Sequence, residues 1–224
     1  MKQMALDIGL PTGPTLANFC AGPNLDALRH LELWVGASAR SPVPTYLWGI
    51  SGSGKTHLLK AAREGLREQG ARVGWLDVNT LEPADYNESW AAVMLDDVHL
   101  YTAAQQHTAF NWFVNAQALQ RPVLAAGEFA PVELQLRDDL RTRLGWGHIF
   151  HLQPLSEAER RAVLRQAADA RGVFLSDEVM DFMLTRFSRD LGSLMELLDL
   201  LDGYALQTKR AITIPMIRAM MDNA

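Results

Sequence analysis

The sequence predicts an α/β fold, a parallel five-stranded sheet flanked by helices with a small helical unit after it, and three observations carry that prediction. First, YLWGISGSGKTHLL at 46–59 joins an apolar strand-like run to a helix-like one through a glycine-rich turn. Second, AAVMLDDV at 91–98 is a continuous apolar run ending in two aspartates, which suits a central parallel strand buried on both faces. Third, the text from Pro154 onward has helical periodicity without another buried β run. The boundaries expected from these shifts are a tail at 1–14, an α/β domain at 15–153 and a helical domain at 154–224.

Composition narrows the function classes. The 224 residues suffice for one α/β domain and a small appendage, and a formal net charge of −5 gives no basic footprint for nucleic acid or an anionic membrane. The single cysteine, Cys20, excludes an intrachain disulfide framework and reads as a packing residue. With neither a signal peptide nor an apolar run near 20 residues, a cytoplasmic location without membrane contact is expected. His148 and His151, the histidines nearest to metal-ligand spacing, lie three apart in the strand-like HIFHL and so point to opposite faces.

In chain order, MKQMALDIGLPTGP at 1–14 sets apolar residues among Gly and Pro, as a frayed terminus or a short docking peptide would. TLANFCAGPN leads into a helix with Leu28, Leu31, Trp34 and Val35 on one face and Asn24 as its N-cap. Gly49, four spacers, Gly54, Lys55 and Thr56 then fit the phosphate-loop pattern. Its chemistry is specific: glycines let backbone N–H groups wrap a phosphate, Lys55 adds a point charge, and Thr56 offers a hydroxyl to Mg2+. The nucleotide-binding set on this stretch is Gly49, Ser51, Gly52, Ser53, Gly54, Lys55, Thr56 and His57.

ARVGWLDV supplies a second strand, and AAVMLDDV places Asp96 and Asp97 at a strand's carboxyl end, where ligands of open α/β sheets lie. Asp96 is then the metal carboxylate beside Thr56, and Asp97 the group that polarises attacking water. Thr102 can cap a helix to about Leu119 with Phe110, Phe113 and Val114 inward. RPVLAAGE gives the next strand with Glu128 at its end, either near a terminal phosphate or capping the following loop. Arg137, Arg141 and Arg143 form the most basic cluster of the chain, and HIFHL a fifth strand. The helical part opens with a capping box, Ser156 and Glu159. A helix from Ser176 has Val179, Phe182, Met183 and Phe187 on one face; another from Asp190 turns Leu191, Leu194, Met195, Leu198 and Leu201 inward, and Pro215 starts the last.

With the phosphate loop, paired aspartates and terminal helices in place, the chain resembles an AAA+ module, and more narrowly the bacterial replication initiator (DnaA) family. The family's N-F-x-x-G-x-N text is matched by Asn18, Phe19, Gly22 and Asn24, adding Asn18 and Phe19 to the nucleotide set. Its S-R-F-G-W-G text is matched by Thr142-Arg143-Leu144-Gly145-Trp146-Gly147, and the likeness continues to AITIPMIRAM at 211–220. No basic recognition helix is found, and Gln3-Met4-Ala5-Leu6-Asp7-Ile8 is similar to the peptides that dock bacterial replication proteins on the β sliding clamp of DNA polymerase III. Those two features resemble the DnaA-homologous regulatory inactivators of the initiator.

The resemblance implies a division of labour. The DNA-loaded clamp recruits the chain through Gln3, Leu6 and Ile8, so DNA is met only through the clamp. Arg143, matching the family's arginine finger, acts in trans on ATP held by DnaA. ADP, or ATP, with Mg2+ is the bound cofactor, and a homodimer is compatible with the family. Two departures weaken self-hydrolysis: RDLGSL at 189–194 has Gly192 where a second sensing arginine usually stands, leaving Arg189 as substitute, and Glu128 replaces the usual aspartate of the first sensor. A self-acting AAA+ ATPase, such as a helicase loader, is the alternative that intact Lys55, Asp96 and Asp97 keep open.

Overall fold

The computed structural model describes residues 13–186, 191–208 and 212–221. Gln3, Leu6, Ile8, Phe187 and Arg189 lie outside the described residues. By packing, the chain divides into two units: one runs through Trp48 and resumes from Gly54 to His151, and the other takes Gly49–Ser53 and the chain from Leu152 onward.

In the first unit, strands β1 (Thr45–Trp48), β2 (Arg72–Leu76), β3 (Trp90–Leu95), β4 (Val123–Gly127) and β5 (His148–His151) form one sheet in the order β2-β3-β4-β1-β5. Every pairing is parallel. Register aligns the strand ends, with Leu95 opposite Ala125 and Trp48 opposite Gly127, so Asp96 and Glu128 leave the sheet on one edge. The central strands β3 and β4 are buried on both faces from Ala92 to Leu95 and from Val123 to Gly127, because helices cover each side.

Helix α1 (Leu25–Gly36) packs on α2 (Lys55–Glu68), and α2 lies on β2 and β4 through Leu58, Leu59, Ala62 and Leu66. Asn24 does occupy the position before α1, yet its side chain makes no capping bond, since it also ends a 3-10 turn, Gly22–Asn24. The opposite face is covered by α3 (Ala103–Ala118) and α4 (Asp138–Leu144), around Tyr46, Val93, Leu95, Phe113, Leu134 and Leu140. Thr102 caps α3 as expected, in a full capping box with Gln105. Gln105 is itself buried, and its Nε2 donates to the carbonyls of Asp77, Val78 and Thr80, tying the loop after β2 to α3.

One expected core position is corrected. Val114 is exposed, and Trp112 is buried instead. The inward stripe is Ala109, Trp112, Phe113 and Ala116, and Val114 lies about 100° beyond Phe113 on the helix.

The second unit holds α5 (Glu157–Ala170), α6 (Asp177–Arg186), α7 (Leu191–Thr208) and α8 (Ile214–Met221). Its core centres on Leu164, Met180, Met183, Leu194, Leu198 and Ile217. Ser156 and Glu159 cap α5 reciprocally, with Glu159 Oε2 accepting from the Ser156 N–H at 2.7 Å.

Candidate functional site

The phosphate loop takes the left-handed backbone that its glycines permit. Gly49, Gly52 and Gly54 have φ of +154°, +77° and +94°. A Cβ on Gly54 would lie 2.6 Å from the Phe19 ring, and one on Gly49 would lie 2.2 Å from the Leu152 carbonyl oxygen. Ser51 is exposed, whereas Ser53 is buried with a hydroxyl that has no hydrogen-bond partner, an orphan polar atom of the sort a ligand oxygen or water satisfies.

Beyond the loop, α2 opens at Lys55, which is buried at 6% exposure. Burial lowers its pKa, opposed by the negative charges of Asp97, Glu128 and Asp96. Thr56 Oγ1 donates to Asp96 Oδ1 at 3.2 Å, so the two residues assigned to the metal do come together. Asp96 is 3% exposed, and burial followed by repulsion from Asp97 raises its carboxyl to about 6. An adjacent dication would favour the ionised form. Asp97 sits at φ +51°, rare for a residue with a Cβ, and its N–H donates to Asp96 Oδ1 at 3.1 Å. Hydroxyl, carboxylate, ammonium and open glycine backbone thus suit a polyanion with a hard cation.

The flank from Asn18 is more mixed. Asn18 is spent locally: its Oδ1 accepts from the Thr15 N–H at 2.9 Å while Thr15 Oγ1 accepts from the Asn18 N–H at 3.1 Å. Phe19 lies against Gly54 and 5.5 Å from the His57 ring. His57 Nε2 lies 3.1 Å from the Thr15 carbonyl oxygen, with its pKa lowered by burial.

His99 escaped the sequence reading. It lies in the helical turn after Asp97, with Nδ1 accepting the Glu128 N–H at 3.3 Å and Nε2 3.3 Å from Glu128 Oε2. It therefore holds both ends of Glu128. The sequence signal was available only as a histidine two residues beyond the aspartate pair, meaningless until β3 and β4 are neighbours.

The three basic residues of the α4 region part company. Arg137 pairs with Asp139 at 2.6 Å and Arg141 with Asp138 at 2.7 Å. Among the described residues no carboxylate pairs with Arg143. Its Nη1 donates to Gln117 Oε1 at 2.7 Å, and its guanidinium carbon lies 4.8 Å from the Trp146 ring centre and 5.3 Å from that of Phe110. In the second unit, Gly192 is exposed in the first turn of α7.

Comparison with known proteins supplies the lineage. A family described as the lid domain of Hda matches residues 157–221. A protein of Haemophilus influenzae with no described function is 34% identical, covering 99% of both chains. Domain III of the replication initiator DnaA from Thermotoga maritima has the same fold, with a TM-score of 0.74 at 20% identity over 99% of this chain and 98% of that one. The chain is thus an Hda-like, DnaA-homologous protein with the AAA+ fold. That fold is the α/β architecture with terminal helices that the phosphate loop and the aspartate pair foretold. DnaA from Aquifex aeolicus, solved bound to AMPPCP, superimposes with a TM-score of 0.66 at 24% identity, over 87% of this chain and 66% of that one. No helix among the described residues is long and apolar enough to cross a membrane.

Proposed function

We propose that this chain is a negative regulator of replication initiation, which holds its own nucleotide as a structural ligand and stimulates ATP hydrolysis by DnaA when the DNA-loaded β clamp is present. The observation that carries the reading is Arg143. It is the member of the basic cluster without a carboxylate partner among the described residues, and it stands in the Thr-Arg-Leu-Gly-Trp-Gly text that matches the initiator family's arginine finger.

The chain's own residues divide the work. Gly49, Ser51, Gly52, Ser53 and Gly54 offer the phosphate cradle, Lys55 neutralises it, and Thr56 with Asp96 hold Mg2+. Phe19 and His57 flank the cradle with aromatic surface, and Asn18 shapes the loop that carries Phe19. Bound ADP or ATP supplies the anion around which this side of the α/β unit is organised. Glu128 is engaged by His99, and the position of a second sensing arginine holds Gly192, so efficient turnover in cis is not expected. Arg143 donates instead to phosphoryl oxygens of ATP on DnaA, for which its planar fork of donors is suited. Gln3, Leu6 and Ile8 dock on the clamp and bring the finger to its target.

The test is DnaA-bound ATP hydrolysis with DNA-loaded clamp. The native protein accelerates it, whereas Arg143→Ala and a Gln3→Ala/Leu6→Ala double variant each abolish the acceleration. Equal activity of all three rejects the reading. A second reading, a self-acting ATPase, draws on the Lys55, Asp96 and Asp97 set and on the strained Asp97 backbone. Clamp-independent turnover by the isolated protein, lost in Asp97→Ala, favours it.

A further inference from the structure

We propose that Gln117 is the positioning residue of the finger, holding the Arg143 guanidinium in one pose without cancelling its charge. The inference rests on the trans-acting reading above. Gln117 stands in the last turn of α3, and its Oε1 accepts from Arg143 Nη1 at 2.7 Å. The remaining contacts are faces: Trp146 at 4.8 Å, Phe110 at 5.3 Å and Phe113 at 6.0 Å. An amide oxygen, three π faces and the negative end of a helix dipole all attract a cation, yet none carries a formal charge.

The neighbours show what the alternative looks like. Arg137 and Arg141, on the same short segment, are each paired with a carboxylate. A guanidinium so paired is oriented but neutralised, and it must exchange one anion for another before it can serve a phosphoryl group. Arg143 meets no such exchange. One of its five donors is spent on Gln117, and the others remain for an incoming anion. Orientation before arrival is what makes a charged donor effective in a transition state, since no reorganisation is then needed during reaction.

Gln117→Glu is isosteric and tests the point directly, because it keeps the contact and adds the charge. In the DnaA hydrolysis assay with loaded clamp, stimulation is followed against concentration of this protein for the native chain, Gln117→Glu, Gln117→Ala, Arg143→Ala and Arg143→Ala/Gln117→Glu. Gln117→Glu is expected to lower the plateau at least about 10-fold with half-saturation unchanged, because its carboxylate offsets the charge the transition state uses. Gln117→Ala lowers it by about 3-fold through lost orientation. In the Arg143→Ala background, Gln117→Glu has no further effect. A native plateau in Gln117→Glu or a rise in half-saturation alone would each overturn the assignment. Arg143→Ala at the native plateau instead removes the trans-acting reading itself, which separates the two failures.

Discussion

Two cations of this molecule, Lys55 and Arg143, sit in opposite electrostatic settings. Lys55 is buried beside Asp96, Asp97 and Glu128, an arrangement closed on itself and suited to a ligand the chain keeps. Arg143 is half-buried, held by an amide and aromatic rings, with its charge uncompensated. Its setting suits an anion that another molecule brings. The difference is one of partner chemistry: carboxylates and hydroxyls can share a metal and a phosphate, whereas a lone guanidinium has only its own charge and donors to offer.

The sharpest way to break this comparison is to exchange the roles. Lys55→Ala should weaken the chain's affinity for ADP by at least about 100-fold in calorimetry, since a desolvated charge-assisted contact is lost. Arg143→Ala should leave that affinity within about 2-fold. Comparable losses in both would merge the two sites into one. Gly54→Ala probes the same loop by shape. With φ at +94° and the Phe19 ring 2.6 Å from the new Cβ, it should destabilise the fold by about 2–4 kcal/mol in urea titration. Gly54→Ala/Phe19→Ala should relieve the clash but not the backbone strain, so only part of that loss returns.

Asp96 gives the comparison a pH dependence. Its carboxyl is raised to about 6 in the fold against an ordinary value of 3.8, so the fold favours the protonated form. The group adds no penalty below pH 4, and a penalty grows as pH rises through 4 to 6 and stays above it. For the ligand-free protein, Asp96→Asn should therefore raise stability at pH 7 by about 1–3 kcal/mol while leaving it unchanged near pH 4. The same substitution should erase any Mg2+ dependence of nucleotide affinity. A variant no more stable than the native chain at pH 7 would show that Asp96 is not held in a dry, repulsive setting.

How much of this was legible depends on range. Local signals carried the phosphate loop, the buried strands, and the Thr102 and Ser156 caps, because each is fixed by residues within a few positions. Thr56 and Asp96 could be paired at forty residues' distance because the parallel α/β rule sends both to one edge. The Gln117 and His99 contacts could not be read, since each depends on which helix or strand lies beside which, and an isolated Gln or His has no periodic signature. Val114 failed for a different reason: the helix offers two adjoining apolar stripes, and the Trp90, Trp112 and Tyr86 cluster selects between them.

The smallest effect concerns His99, whose two nitrogens lie against the backbone and carboxylate of Glu128. Removing the ring in His99→Ala should shift stability by about 1 kcal/mol or less, because Glu128 is partly solvated and regains water when the contact is lost. Its consequence for turnover is more telling. If the His99 contact draws Glu128 away from a terminal phosphate, His99→Ala should raise any basal hydrolysis by the isolated chain by a few fold, and Glu128→Gln should cancel that gain. If instead basal hydrolysis falls, Glu128 is being held in its working position, and the Lys55 side of the molecule is a catalyst in its own right. The two outcomes lie on opposite sides of the native rate, so even a modest change decides whether the chain's own nucleotide is kept or consumed.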